Sequence, residues 1–168
     1  MQLDLKVANI FAFTPATLEK NIESVLRCND FTEPKGLSLN YAQALYLVDT
    51  RNNALKSNGR IEFSDSIINK IIYTFSDSAY IDNINYEDTI HDLIELFYYF
   101  KNESLDRYND DQLIAYLYSA FEGYCQGSTE LLASKGLEKL LHPETSIEDE
   151  LEIKISDIQL EAIDELEL

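Results

Sequence analysis

His91 is the residue whose type and neighbours most suggest chemistry. Glu87 and Glu95 lie one helical turn to either side of it, and Asp88 precedes it by three positions, so all four share one face of a helix. Carboxylates and imidazoles can hold a metal ion, and di-iron bundles use a Glu-x-x-His pair from each of two helices. The second histidine, His142, does not repeat that pairing. We therefore expect a surface histidine flanked by acids, with no metal and no cofactor.

Nucleophilic catalysis needs a Ser, Cys or Thr beside a base and an orienting acid. The segment Cys125-Gln-Gly-Ser128 offers a thiol and a hydroxyl, but it fits the end of one helix followed by the N-cap of the next. The five glycines are isolated, so no phosphate-cradling loop is predicted. Cys28 and Cys125 have none of the spacings of a metal or redox motif, which favours reduced thiols in a cytoplasmic protein. An enzyme is the less favoured class.

One polar residue lies where a helix should be apolar, and a basic residue is next to it. Asn52 is on the apolar stripe of the second predicted helix, and Arg51 is beside it. One interpretation is a polar pocket for a small anionic ligand, built around Arg51 and Asn52. The favoured interpretation is a buried, hydrogen-bonded Asn with ion pairs that join the second and third helices.

Tyrosine is the other conspicuous residue, with eleven copies and no tryptophan in the chain. Tyrosine is enriched in protein interfaces, but it also suits a helical core whose hydroxyls reach the surface. The core is favoured. The candidate set for a partner-binding patch is Tyr80, Tyr86, Tyr98 and Tyr99.

The net charge of the chain limits the classes of partner that it is expected to bind. The chain has 168 residues with 31 acidic and 13 basic side chains, a net charge of −18, and 45% hydrophobic residues. That length and composition suit one globular domain with a core. So large an acid excess disfavours direct binding to nucleic acid or to anionic membranes, which need a basic surface. A protein partner, itself basic, is the partner that this charge favours.

Apolar periodicity and caps predict an all-α bundle of five or six helices. The run from Leu96 to Phe100 is apolar nearly all round, so the fourth helix should be the most buried. Gly136 should interrupt the sixth helix. The predicted helices span about 15–28, Ser38 or Asn40 to Gly59, Ser64 to Phe75, Tyr86 to Glu103, Asn109 to Gln126-Gly127, and Ser128 to Leu141.

The C-terminal part differs in charge from the rest. Residues 144–168 contain ten acids and one base, and Pro143 marks the junction. We predict a helical domain at 1–143 and an acidic appendage at 144–168. Alternating apolar residues near both ends, Leu3 to Val7 and Leu151 to Ile155, leave open a two-stranded β ribbon formed by the two termini.

Five short stretches of the sequence are distinctive: Leu47-Val-Asp-Thr-Arg51, Gly59-Arg-Ile-Glu-Phe63, Ser76-Asp-Ser-Ala-Tyr-Ile81, Leu96-Phe-Tyr-Tyr-Phe-Lys-Asn-Glu103 and Cys125-Gln-Gly-Ser128. Together they resemble an uncharacterised bacterial family of small acidic helical proteins, a domain of unknown function. The resemblance covers about Leu37 to Leu141 and does not include the acidic tail. It implies a bacterial cytoplasmic protein and no particular activity.

Three functions remain after these exclusions. The first is a non-enzymatic protein–protein interaction or accessory module with an acidic tail. The second is a small enzyme or ligand-binding protein with a site around Arg51 and Asn52. The third is a nucleic-acid mimic that inhibits a DNA-binding protein, which would require acids in rows along one face.

Overall fold

Six helices form a bundle in the computed structural model, which describes residues 14–62 and 66–143. A one-turn helix at Asn29–Thr32 and a 3₁₀ turn at Glu33–Lys35 follow the first of them. The predicted mainly α, bundle-like fold is confirmed. The six helices are α1 Pro15–Arg27, α2 Tyr41–Ser57, α3 Ser66–Phe75, α4 Tyr86–Glu103, α5 Asp110–Glu122 and α6 Thr129–Leu141.

The predicted terminal ribbon, the acidic appendage and the Ser64 cap lie outside the described residues. No described helix combines the length and the apolar character that crossing a membrane requires.

Side-chain caps fix four of the helix starts. Thr14 caps α1, and the Ser128 hydroxyl accepts the Leu131 N–H at the start of α6. Asn40, rather than Ser38, caps α2 in a reciprocal pair with Gln43. Asn109 and Gln112 make the same capping box at α5. Each cap satisfies backbone N–H groups that the first helical turn leaves without partners, so the cap residues in the sequence determine where these helices begin.

Helix α4 lies at the centre of the bundle, in contact with α2, α3, α5 and α6. Eight of its side chains are buried, and four of these come from the run Leu96 to Phe100. Tyr99 is the exception in that run, because it is about half exposed and borders the surface clefts described below. The sequence-based expectation of a central fourth helix is therefore confirmed.

Two helix boundaries differ from the sequence-based expectation. α6 continues through Gly136, where a Cβ atom would lie 2.9 Å from the Phe100 ring and 2.9 Å from Leu132 Cδ1. The glycine is a close-packing position for the α4 ring, not a break. α5 ends at Glu122 instead of Gln126-Gly127, and the Gly127 N–H turns back to the Phe121 carbonyl at 2.8 Å.

Gly127 allows the α5–α6 turn to pack against the loop before α4. Its φ is +80°, and a Cβ atom there would lie 2.5 Å from Tyr80 Cβ. We expect Gly127→Ala to lower the free energy of unfolding by about 2 to 3 kcal/mol, from a left-handed backbone and a steric clash together. Urea denaturation measures this.

Gly59→Ala is the matched control for the Gly127 substitution. Gly59 also has positive φ, +63°, but a Cβ atom added there would meet no other atom within 4 Å. This substitution should cost about 1 kcal/mol, the backbone contribution alone. Equal costs at the two glycines would contradict the packing role of Gly127.

Candidate functional site

Arg51 and Asn52 lie in the interior of the described bundle. Both are buried, and neither lines the two clefts described below. The Arg51 guanidinium donates to the Glu62 carbonyl at 3.2 Å and lies 3.6 Å from the Glu62 carboxylate. The Tyr98 hydroxyl donates to that carboxylate at 2.8 Å. The cluster ties α2, the segment after it and α4 together. Asn52 Oδ1 is buried without a hydrogen-bond partner among the described residues, so the hydrogen-bonded Asn expected from the sequence is not observed.

The four candidate tyrosines are divided between core and surface. Tyr86 and Tyr98 are buried, and burial raises the pKa of each hydroxyl well above its ordinary value. Tyr80 and Tyr99 are 42% and 48% exposed. Tyr80 packs on Gly127 and, edge-on, against Phe121. The set therefore makes no single patch, and Tyr99 is the member that a partner can reach in a cleft.

A cleft of about 510 Å³ lies between α2 and α4. We call it the α2–α4 cleft. Its volume is in the range of sites that take a small molecule or one large side chain. Its lining residues are mostly polar or aromatic: Tyr46, Asp49, Thr50, Asn53, Ala54, Ser57, Asn58, His91, Glu95, Tyr98 and Tyr99.

A second cleft of about 410 Å³, the α4–α6 cleft, adjoins the first. Glu95 and Tyr99 line both clefts and so form the ridge between them. The remaining lining residues of the second cleft are Asp92, Leu96, Thr129, Glu130 and Ala133.

The two clefts are acidic. Four carboxylates line them, from Asp49, Asp92, Glu95 and Glu130, and no Lys or Arg side chain is among the described lining residues. The Tyr46 hydroxyl shows the effect of these charges. Its partial burial and the negative charges of nearby α4 carboxylates raise its pKa. The electrostatic potential of the clefts is therefore negative and favours a cation.

His91 joins α2 to α4 inside the first cleft. Its Nδ1 lies 2.7 Å from Thr50 Oγ1, and its Nε2 lies 2.7 Å from Glu95 Oε1. The ring stacks on Tyr46 at 4.8 Å with an interplanar angle of 12°. The helical spacing identified Glu95 as a neighbour, whereas Thr50 and Tyr46 approach only because α2 packs on α4. Among the described residues no group of three metal-ligating side chains occurs.

The order hydroxyl, imidazole, carboxylate is also that of a catalytic triad. Thr50, however, is 6% exposed, lies in the middle of α2, and its hydroxyl is 2.8 Å from the Tyr46 carbonyl one turn earlier. A nucleophile must project its oxygen toward the substrate, and this hydroxyl is engaged on both sides by the helix and the ring. The arrangement is better suited to holding Glu95 in the cleft than to attacking a substrate.

Comparison with known proteins gives a family but no function. No curated protein and no solved structure matches the chain. A family model does match residues 24–146, a span that includes the last four residues of α1, all of α2 to α6 and every residue of both clefts. The match confirms the resemblance found in the sequence, and the chain belongs to the family of unknown function DUF6323.

Proposed function

We propose that this chain is a non-enzymatic interaction module that binds a basic segment of a partner protein in the α2–α4 and α4–α6 clefts. The observation that carries the proposal is that the two adjacent clefts share Glu95 and Tyr99, with four carboxylates and no basic side chain in their described lining. Two adjacent acidic clefts suit two successive basic side chains of one segment.

The chemistry of the lining fits Lys and Arg. Carboxylates make charge-assisted hydrogen bonds to ammonium and guanidinium groups. The exposed faces of Tyr46 and Tyr99, which are 40% and 48% accessible, can receive a cation over the ring. Tyrosine also loses little conformational entropy on binding, since it has only two rotatable side-chain bonds.

The acidic appendage belongs to the same proposal. Residues 144–168 carry ten acids and one base, so they would attract the same basic partner over a distance and raise its association rate at low salt. In this proposal the clefts make the specific contacts with the partner, and the appendage attracts the partner electrostatically.

A nucleic-acid mimic is a special case of this proposal, because proteins that bind DNA present basic surfaces. Asp88, Asp92 and Glu95 follow one another on α4 at spacings of four and three residues, which places them in a row along one helix face. A DNA-binding protein would then be the basic partner.

The test measures binding of a short blocked peptide of alternating lysine and alanine to the full chain by titration calorimetry at low salt. Asp49→Asn combined with Glu95→Gln should weaken binding about tenfold, because two carboxylates in direct contact lose their charge. The dependence of affinity on salt should also become weaker.

Asp30→Asn combined with Glu33→Gln is the matched control. Both residues are exposed and lie outside the clefts, and the change in net charge is the same. The control pair should change affinity less than twofold, about 0.4 kcal/mol or less. Equal weakening by both pairs would show attraction to the overall charge, and absence of binding to the unmodified chain would overturn the proposed function.

A further inference from the structure

Glu95 is the carboxylate that both clefts share, and within the described residues it already has one partner, the His91 ring at 2.7 Å. An imidazole is neutral or positively charged depending on pH. The charge next to Glu95 therefore depends on whether His91 carries one proton or two.

The hydrogen-bond geometry around His91 accommodates both states without moving the ring. With a neutral ring, the Thr50 hydroxyl donates to Nδ1 and Nε2–H donates to Glu95. With a charged ring, Nδ1–H donates to the Thr50 oxygen, and the hydroxyl hydrogen turns to the Tyr46 carbonyl, which lies 2.8 Å away. Rotation of one hydroxyl is enough, so protonation alters the charge of the cleft and leaves its shape unchanged.

The groups that face the ring are acidic or neutral on every helix that borders the clefts. Tyr46 stacks on the ring from α2, and no Lys or Arg is among the described cleft residues. The carboxylates in the clefts or close enough to act on Tyr46 are Asp49 from α2, Glu87, Asp88, Asp92 and Glu95 from α4, and Glu130 from α6.

We infer that protonation of His91 and binding of a basic side chain at Glu95 compete, so that the module releases its partner as pH falls. This inference rests on the proposed function, because it concerns regulation of the same clefts. A protonated ring places a positive charge on the carboxylate that a lysine or arginine needs. An arriving cation in turn disfavours the second ring proton, and binding releases it.

The same alternating lysine–alanine peptide, titrated into the full chain at pH 8 and pH 6, tests the competition. Binding to the unmodified chain should be about fivefold weaker at pH 6, within the limit of tenfold per pH unit for one linked proton. His91→Gln should remove most of this difference. His142→Gln is the matched control, since His142 is exposed and outside both clefts, and it should keep the difference.

Two further measurements keep the test decisive if His91→Gln weakens the fold. His91→Phe retains a ring against Tyr46 without a proton and should also bind the peptide independently of pH over this range. For the unmodified chain, binding enthalpies in buffers of different ionisation enthalpy should show net proton release near pH 6.

The outcomes separate this inference from the proposed function. If the peptide binds in the clefts but the pH dependence is unchanged in His91→Gln, or no proton is released, the competition is refuted and the proposed function stands. If the unmodified chain binds no peptide at either pH, the proposed function itself fails.

Discussion

Replacing Phe97 with alanine should lower the free energy of unfolding by about 3 to 5 kcal/mol. The Phe97 ring is fully buried in α4, the helix that contacts four others, and it meets the Tyr98 ring edge-on at 5.0 Å. The substitution removes a large apolar surface and leaves a cavity that a close-packed bundle can only partly fill. Urea denaturation followed by circular dichroism measures the loss.

Tyr99→Ala is the control for the Phe97 substitution. Tyr99 lies two residues further along the same helix and is about half exposed. We expect a cost below about 1 kcal/mol in stability, together with weaker peptide binding because Tyr99 lines both clefts. A loss at Phe97 no larger than that at Tyr99 would mean that the packing of α4 is misassigned.

Replacing Arg51 with alanine should cost about 3 to 5 kcal/mol, comparable to the core substitution. The Arg51 side chain is almost completely buried, and its removal leaves the Glu62 carboxylate without the charge that faces it. Tyr98 would remain as a donor to that carboxylate. A single neutral hydrogen bond compensates a partly buried anion poorly, so the loss is large.

Arg60→Ala tests whether the stability cost at Arg51 comes from its burial or only from the loss of an ion pair. Arg60 pairs with Asp106 at 2.7 Å, closer than Arg51 lies to Glu62, but both members of the Arg60 pair reach solvent. Solvent screening limits such a pair to about 1 kcal/mol or less. Thermal or urea unfolding of the two variants should therefore rank Arg51 far above Arg60. The reverse order would favour Arg51 as a ligand-binding residue over a structural one.

Much of the fold follows from local sequence. Asn40 and Asn109 begin their helices because their side chains bond backbone groups three residues ahead. The bounds of α4 and its burial follow from an apolar run too wide for a surface helix. Gly136 is different, because its role depends on the Phe100 ring from another helix, and no local pattern shows that contact.

Less of the candidate site than of the fold could be predicted from the sequence. Helical spacing placed Glu95 beside His91, and that neighbour is present at 2.7 Å. Thr50 lies 41 residues earlier in the chain and comes within 2.7 Å only through packing of α2 on α4. For Arg51 the sequence suggested a binding site that the described structure does not show. Its sequence context is polar and suggests a site, and only the structure shows that it is buried against Glu62.

A nuclear magnetic resonance titration of the full isotope-labelled chain with the lysine–alanine peptide tests the central claim most directly. It locates binding on individual residues, including the acidic appendage at 144–168. The account predicts saturable shifts concentrated at Asp49, Glu95, Tyr99 and Glu130, with smaller and strongly salt-dependent shifts in the appendage. Shifts confined to the appendage, or spread evenly over acidic residues, would contradict the assignment of the α2–α4 and α4–α6 clefts as the binding site.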